Sequence, residues 1–437
     1  MEYQTGQVVE VTAGDAAHGG WCVARPADGP VVFVRHALPG ERVLARVTEV
    51  TSRLARAEAV EILAPSPDRV MSPCPHARPG GCGGCDWQHA ALPAQRLLKA
   101  AVIRQQLRRM AGLDREITVE ALPGDQEGLG WRTRVQFAVR EDGVAGLRAH
   151  RSHQVIDVGE CLIAHQAITD LDLTGRRWPG ETSVEALVST GSGERIVIIS
   201  PGRSAGPSRE PQAADAVLRR AGPRNHRLTP VRGRGYLSQH AAGRDWRVSA
   251  GAFWQVHPAA ADALTDAVLA SLEPQPGDAA LDLYCGAGLF AGVLAAAVGP
   301  GGTVIGVEAD DSAVRDARHN LREWPWARVH RGDVAAVLAR GGLPPARLAV
   351  ADPPRSGLAR EVIDYLGTAA NGVRRLVYVS CDPATLARDI GLLAGRGWAL
   401  NGLRAFDAFP MTHHVECVAA LSAGGVTDQP GEPGSRR

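Results

Sequence analysis

The chain has 437 residues, 45% of them hydrophobic, 22% charged and 5% aromatic, with a formal net charge of +1. At roughly 100–200 residues per domain, that length calls for about two to four domains, and the apolar share excludes a wholly disordered, collagenous or coiled-coil chain. No apolar run approaches the ~18 residues that span a bilayer, and the opening MEYQTGQVVE has neither a basic flank nor an apolar core, so a cytoplasmic protein is expected.

Residues 5–62 hold short alternating runs (QVVEVTAG, WCVARPADG, PVVFVRHALPGERVLARVTEV, ARAEAVEIL) broken by Gly, Pro and Asp. Several strands in so few residues predict a compact barrel of the oligonucleotide-binding type over 1–62, with a small SH3-like module as the alternative. A Pro-, Gly- and Cys-rich stretch follows, then a helical run over 90–111 whose basic face carries Arg96, Lys99, Arg104, Arg108 and Arg109. That face reads as solvated. Lys99 is the only lysine, so any anion must be held by guanidinium forks. Strands return in TRVQFAVR and ERIVIIS, and 63–250 is taken as a central α+β domain. Between Arg203 and Arg247 ten arginines face only Glu210, Asp215 and Asp245, which suits a polyanion-facing surface or a mobile loop.

From residue 251 to 422 the rhythm becomes strand–helix alternation: AALDLYC and AGVLAAAV, TVIGVEA and SAVRDARHNL, RLAVADPP, then RLVYVSC and PATLARDIGLLA. This predicts a parallel sheet with helices on both faces. Residues 398–421 read as two strands joined around FPMTHH, and 423–437 as a disordered tail.

Four motifs carry chemistry. In DLYCGAGLF (282–290), Gly286 and Gly288 let the backbone approach a ligand at a helix N-terminus, which also fits a dinucleotide fingerprint. Asp282 discriminates: a carboxylate there repels a pyrophosphate and suits the cationic groups of S-adenosylmethionine. Glu308 ends the next strand, where it can take ribose hydroxyls, and Asp333 ends the third, where it can accept from an adenine amine. In DPPRSG (352–357), Asp352 and two prolines stiffen a loop that can hold a base beside the donor, and Arg355 can fork a phosphate. In SCDP, Cys381 precedes an expected N-cap, Asp382, and a first helical residue, Pro383, so its thiol lies near a helix N-terminus. A thiolate adding to C6 of uracil makes C5 nucleophilic, and a base must then remove the C5 proton. FPMTHHVE supplies Glu416 for that task, with His413 and His414 as competing candidates. Finally, Cys74, Cys82, Cys85 and Cys161 fit a thiolate-ligated [4Fe–4S] cluster, with four-cysteine zinc as the runner-up.

In this order the motifs DLYCGAG, DPPRSG, SCDP and FPMTHHVE resemble the RNA (uracil-5-)-methyltransferase family, over nearly the whole chain. The resemblance implies a Rossmann-like class I methyltransferase domain (251–422) of α/β fold behind a TRAM-type barrel. It also implies Cys381 as nucleophile, Glu416 as base, and cluster cysteines at 74, 82, 85 and 161. Gln255 in AFWQVHP, Tyr284, Glu308, Asp333 and Asp352 match positions that contact the donor. The chain departs from the family pattern at Leu289 and His257, where asparagines are common. In this family the helix before the central domain packs on the methyltransferase unit, so 91–115 is expected to do so here. The substrate expected is RNA, ribosomal ahead of transfer RNA, for a monomer. An amino-group methyltransferase using the DPPR loop, or a non-catalytic RNA-binding protein, are the alternatives.

Overall fold

The computed structural model describes residues 3–26, 29–124, 127–202, 210–222, 225–341 and 343–424. The tail expected to be disordered falls almost wholly outside these, as do 203–209 and 223–224 of the arginine-rich stretch. The chain divides into two compact units. One comprises Met1–Gln105, Glu116–Ala263 and Ala405–Glu416; the other comprises Gln106–Arg115, Leu264–Arg404 and Cys417–Arg437. Among the described residues no helix is long and apolar enough to cross a membrane.

In the first unit, alternation sets the N-terminal sheet. Val32, Val34, Val43, Ala45 and Val47 are buried and alternate with the more exposed Val31, Phe33, Arg42, Leu44, Arg46 and Thr48, as a period of two requires. The six strands lie in the order Val8–Thr12, Arg42–Val50, Leu54–Ala64, Val31–Arg35, Trp21–Ala24 and Ala16–Ala17. A seven-stranded sheet follows, with Glu181–Val188 and Arg195–Pro201 near its middle. The run IVIIS is buried throughout because its two faces feed different cores: Val197 and Ile199 enter one cluster, Ile196 and Ile198 another. The helix Leu92–Gln106 corrects the expected solvated face, since Lys99 and Gln95 on it are fully buried. The Lys99 ammonium is ion-paired with the buried Asp407 and donates to the Phe409 carbonyl at 3.0 Å.

The second unit is a doubly wound sheet. Its strands run Ala327–Arg331, Thr303–Glu308, Ala279–Leu283, Leu348–Ala351, Arg375–Ser380, Glu416–Ala423 and Trp398–Asp407. The first five are parallel, and Cys417–Ser422 runs antiparallel to Arg375–Ser380 with Ser380 opposite Cys417. Central strands such as LAVA and LVYVS are buried throughout because helices cover both faces. Chain order reverses between Ala279–Leu283 and Leu348–Ala351, and the crevice at the carboxyl ends of strands flanking such a reversal is where open α/β sheets bind ligands. Of the expected 91–115 helix, residues 106–115 belong to this unit and the rest to the first. The π-helical turn Leu107–Ala111 lies so close to the helix Pro383–Ala394 that a Cβ on Gly391 would meet the Met110 carbonyl oxygen at 2.7 Å.

Candidate active site

Asp282 stands on one of the strands that flank the reversal and Asp352 directly follows the other, since Asp282 pairs with Val350 and Leu283 with Ala351. Asp282 is fully buried. Its Oδ2 accepts the Ala291 N–H at 2.7 Å, while Oδ1 has no hydrogen-bond partner. Burial pushes this carboxyl up to about 8 against the pull of that N–H, and the negative charges of Asp352 and Glu308 add to the rise. Asp352 is partly open to solvent but lies deep enough that burial raises it to about 7.

The glycine loop between them is tightly wound. Tyr284 has φ +68°, a costly angle for a bulky residue, worth ~1–3 kcal/mol and characteristic of functional turns. Gly286, at φ +52°, has open space where a Cβ would point, so its backbone is free to face a ligand. Glu308 holds the loop: Oε2 accepts the Gly286 N–H at 2.9 Å, and Oε1 accepts those of Ala309 and Asp310 at 2.7 Å. Asp333 caps the helix Val334–Ala339, with Oδ1 accepting the Ala336 N–H at 2.9 Å. Both acids thus have structural duties that their sequence positions did not reveal.

Cys381, half-buried, sits where strand Arg375–Ser380 meets helix Pro383–Ala394. Asp382 caps that helix by accepting the Thr385 N–H at 2.8 Å, and Pro383 opens it. The helix also grips the DPPR loop. Thr385 donates to the Arg355 carbonyl at 3.0 Å and Arg388 to the Ser356 carbonyl at 2.8 Å. The fully buried Asp389 accepts from Leu358 N–H and the Tyr378 hydroxyl, each at 2.8 Å. Gly357, at φ +82°, is required here, because a Cβ would fall 2.2 Å from Thr385 and 2.4 Å from Asp389. The loop and the helix that follows Cys381 are therefore tied together, and Asp389 went unnoticed in the sequence because its partners lie 11 and 31 residues away.

The remaining candidates belong to the first unit. Glu416 and Gln255 are both buried. Cys74, Cys82, Cys85 and Cys161 line one cavity of about 260 Å³ with Gln88 and Arg132. Gln88 donates to Cys85 Sγ at 3.1 Å and the Gly84 N–H to Cys82 Sγ at 3.4 Å. Burial pushes the Cys82 thiol up to about 11 and raises Cys85 and Cys161 as well. Among the described residues, no three His, Cys, Asp or Glu side chains converge as a set that would hold a single metal ion. Beside Cys85, Asp86 accepts from Arg35 at 3.1 Å and from the His413 ring at 2.6 Å. Burial pushes the Asp86 carboxyl up, but the His413 hydrogen bond and the charges of His413 and Arg35 outweigh it and hold the acid below the ordinary range. In the arginine-rich stretch, several guanidiniums are committed internally. Arg219 pairs with Glu181 at 2.6 Å, Arg234 pairs with Glu194, and Arg232 donates to the carbonyls of Pro211 and Ala214.

Comparison with known proteins decides the family. The tRNA (Uracil-5-)-methyltransferase family model matches residues 347–423, and the TRAM domain model matches residues 2–60. An RNA methyltransferase of Streptomyces coelicolor is 50% identical, over 95% of this chain and 93% of its own. The 23S rRNA (uracil(1939)-C(5))-methyltransferase of Acinetobacter baumannii is 31% identical, over 92% of each chain. The chain belongs to the RNA (uracil-5-)-methyltransferase family. In fold it is similar to the Pyrococcus abyssi tRNA (uracil-54, C5)-methyltransferase, solved in complex with S-adenosyl-L-homocysteine. The TM-score is 0.70 at 22% identity, covering 94% of this chain and 100% of that one.

Were the donor's cationic groups to rest against Asp282 and Asp352, as the sequence leads one to expect, these raised carboxyls would make its binding pH-dependent. Their raised values keep them largely protonated below about 7, and a cation placed against them draws the protons off. Affinity for S-adenosylmethionine is expected to strengthen as pH rises through about 7–8, with proton release visible in calorimetry as a buffer-dependent enthalpy. S-adenosylhomocysteine, lacking the sulfonium charge, should show a weaker dependence. Equal, pH-independent affinity for both would contradict this view of Asp282 and Asp352.

Proposed function

We propose that the chain methylates carbon 5 of a uridine in RNA, with S-adenosylmethionine as donor, Cys381 as nucleophile and Glu416 as base. The observation that carries this reading is the latch through Asp389, which makes the DPPR loop and the helix behind Cys381 a single rigid element beside the carboxyls at the sheet reversal. An exocyclic amine needs only the loop. A thiol fastened to that loop is what carbon methylation requires.

In the reaction proposed, Cys381 sulfur bonds to C6 while the electron pair of the C5–C6 double bond moves toward the C4 carbonyl oxygen. The donor supplies an electrophilic methyl group to C5, its sulfur keeping the bonding pair. Glu416 then takes the proton from C5, the double bond re-forms, and the bond from C6 to sulfur breaks to return the thiolate. The burial of Glu416 suits a base shielded from water.

Asp282, with its unpartnered Oδ1, and Asp352 would balance the cationic groups of the donor. Gly286, whose Cβ position is open, would let the backbone approach it. Gly288, at φ +89°, caps the following helix through its backbone rather than a side chain. Glu308 and Asp333 keep lone pairs beyond those committed to backbone N–H groups, for ribose and adenine respectively. Gln255 and Tyr284 are assigned to the donor by family resemblance. Ribosomal RNA is the substrate class proposed, on the strength of the 31% identical relative from Acinetobacter baumannii.

We also assign a [4Fe–4S] cluster to Cys74, Cys82, Cys85 and Cys161. The four thiols line one cavity, and three clustered cysteines with one remote suit the four corners of a cubane. The N–H donors from Gln88 and Gly84 would steady thiolate charge. The cluster's part is structural, since carbon methylation moves no unpaired electron.

Uridine carrying tritium at C5 separates the alternatives. Wild-type protein is expected to release tritium in step with methyl transfer, Cys381→Ala to do neither, and Glu416→Gln to slow release by roughly 100-fold or more. Methyl transfer with tritium retained would place the methyl somewhere other than C5 and overturn the carbon-methylation reading. For the metal, protein prepared without oxygen is expected to contain iron and acid-labile sulfide; zinc without sulfide would overturn the cluster.

A further inference from the structure

The segment that carries Glu416 begins with a turn in an unfavourable conformation, and its supports lie in one place. Met411 has φ +68°, in the left-handed region that non-glycine residues avoid. Its carbonyl accepts two backbone N–H groups, from Asp86 at 2.9 Å and Trp87 at 3.0 Å. Its own N–H donates to Gln95 Oε1 at 2.8 Å, and Gln95 Nε2 reaches its sulfur at 3.3 Å. Two residues on, His413 donates to the same Asp86 Oδ2 twice, from its backbone N–H at 3.1 Å and from its ring at 2.6 Å. The other oxygen of Asp86 is held by the buried Arg35 at 3.1 Å. Gly20, at φ +79°, makes room for this carboxylate, since a Cβ there would lie 2.8 Å from that of Asp86. Cys85, the residue before Asp86, packs with Met411, Phe409 and Cys161 in one apolar cluster.

We infer that Asp86 is a positioning residue for the reaction: from the turn that follows Cys85 it fixes the 409–414 segment, and through it the setting of Glu416. This rests on the reading of Glu416 as base. Asp86 touches no reacting atom in this account. It acts through His413, which bridges the carboxylate to the segment, so His413 positions rather than accepts the proton. A stretch of backbone held in a left-handed turn relaxes when its tethers go, and misplacing a base by an ångström is enough to cost roughly 100-fold in rate.

The test uses the full-length protein and three changes. His413→Ala removes the ring bond while leaving the Arg35–Asp86 pair intact. His413→Asn restores a side-chain N–H to the same place. Asp86→Asn weakens the acceptor itself. Amide hydrogen exchange is followed in peptides covering 407–416, beside tritium release from C5-labelled uridine RNA. His413→Ala is expected to raise exchange at 411–414 and to slow tritium release by roughly 10–100-fold, with the KM for S-adenosylmethionine unchanged. His413→Asn should recover most of both, and the double variant Asp86→Asn with His413→Ala should be no worse than the more impaired single. Unchanged exchange and rate in His413→Ala, multiplying effects in the double variant, or failure of asparagine to rescue would each overturn the proposal. An error in the underlying reading shows separately, as undiminished tritium release by Glu416→Gln, and the exchange comparison stands apart from it.

Discussion

Two carboxyl groups set down at the reversal of a parallel sheet, one with an oxygen bonded to nothing, are the constraint around which the second unit is organised. A buried polar atom left unpaired costs ~1–3 kcal/mol. Asp282 is held there by the Ala291 N–H, which fixes one oxygen and leaves the other presented. The left-handed Tyr284, the open Gly286 and the three amides gathered by Glu308 follow from the same need. They wind the backbone tightly enough that, in the proposed reading, peptide groups rather than side chains meet the donor.

Rigidity is built differently on the two sides of the proposed reaction. The thiol is set by a helix that caps itself with Asp382 and reaches back through Thr385, Arg388 and Asp389 to the DPPR loop, all by hydrogen bonds inside one unit. The segment leading to Glu416 is set by Gln95, Lys99 and Asp86, which hold Met411, Phe409 and His413. Neither arrangement relies on surface charge, and salt should perturb both little.

What the sequence revealed and what it hid divide along sequence distance. The capping of Pro383–Ala394 by Asp382, the buried parallel strands and the glycine loop depend on neighbours within a few residues, so pattern alone exposes them. Lys99 was read as solvated because helical periodicity cannot see Asp407, 308 residues away, whose buried carboxylate is its partner. Asp86 was passed over although it adjoins a candidate cluster cysteine, because His413 lies 327 residues further on. Glu308 and Asp333 were singled out as strand-end acids, yet Asp333 lies two residues past its strand as a helix cap, and the capping and loop-holding bonds of both emerge only from the folded backbone. The arginine-rich stretch showed its charge but not its internal partners: Glu181 and Glu194 neutralise two of its guanidiniums. Charge counts along a chain overstate what a surface presents.

The central claim is that a covalent bond forms between the sulfur of Cys381 and C6 of the target base, and 5-fluorouridine tests it most directly. Fluorine at C5 cannot leave as a proton, so the bond from sulfur to C6 should persist after methyl transfer. Incubating the protein with S-adenosylmethionine and RNA bearing 5-fluorouridine is expected to yield a stable adduct. Mass spectrometry of the digest should place the methylated fluorouridine on the peptide containing Cys381, and Cys381→Ala should form none. An adduct on another residue, or the same adduct formed by Cys381→Ala, would contradict the account.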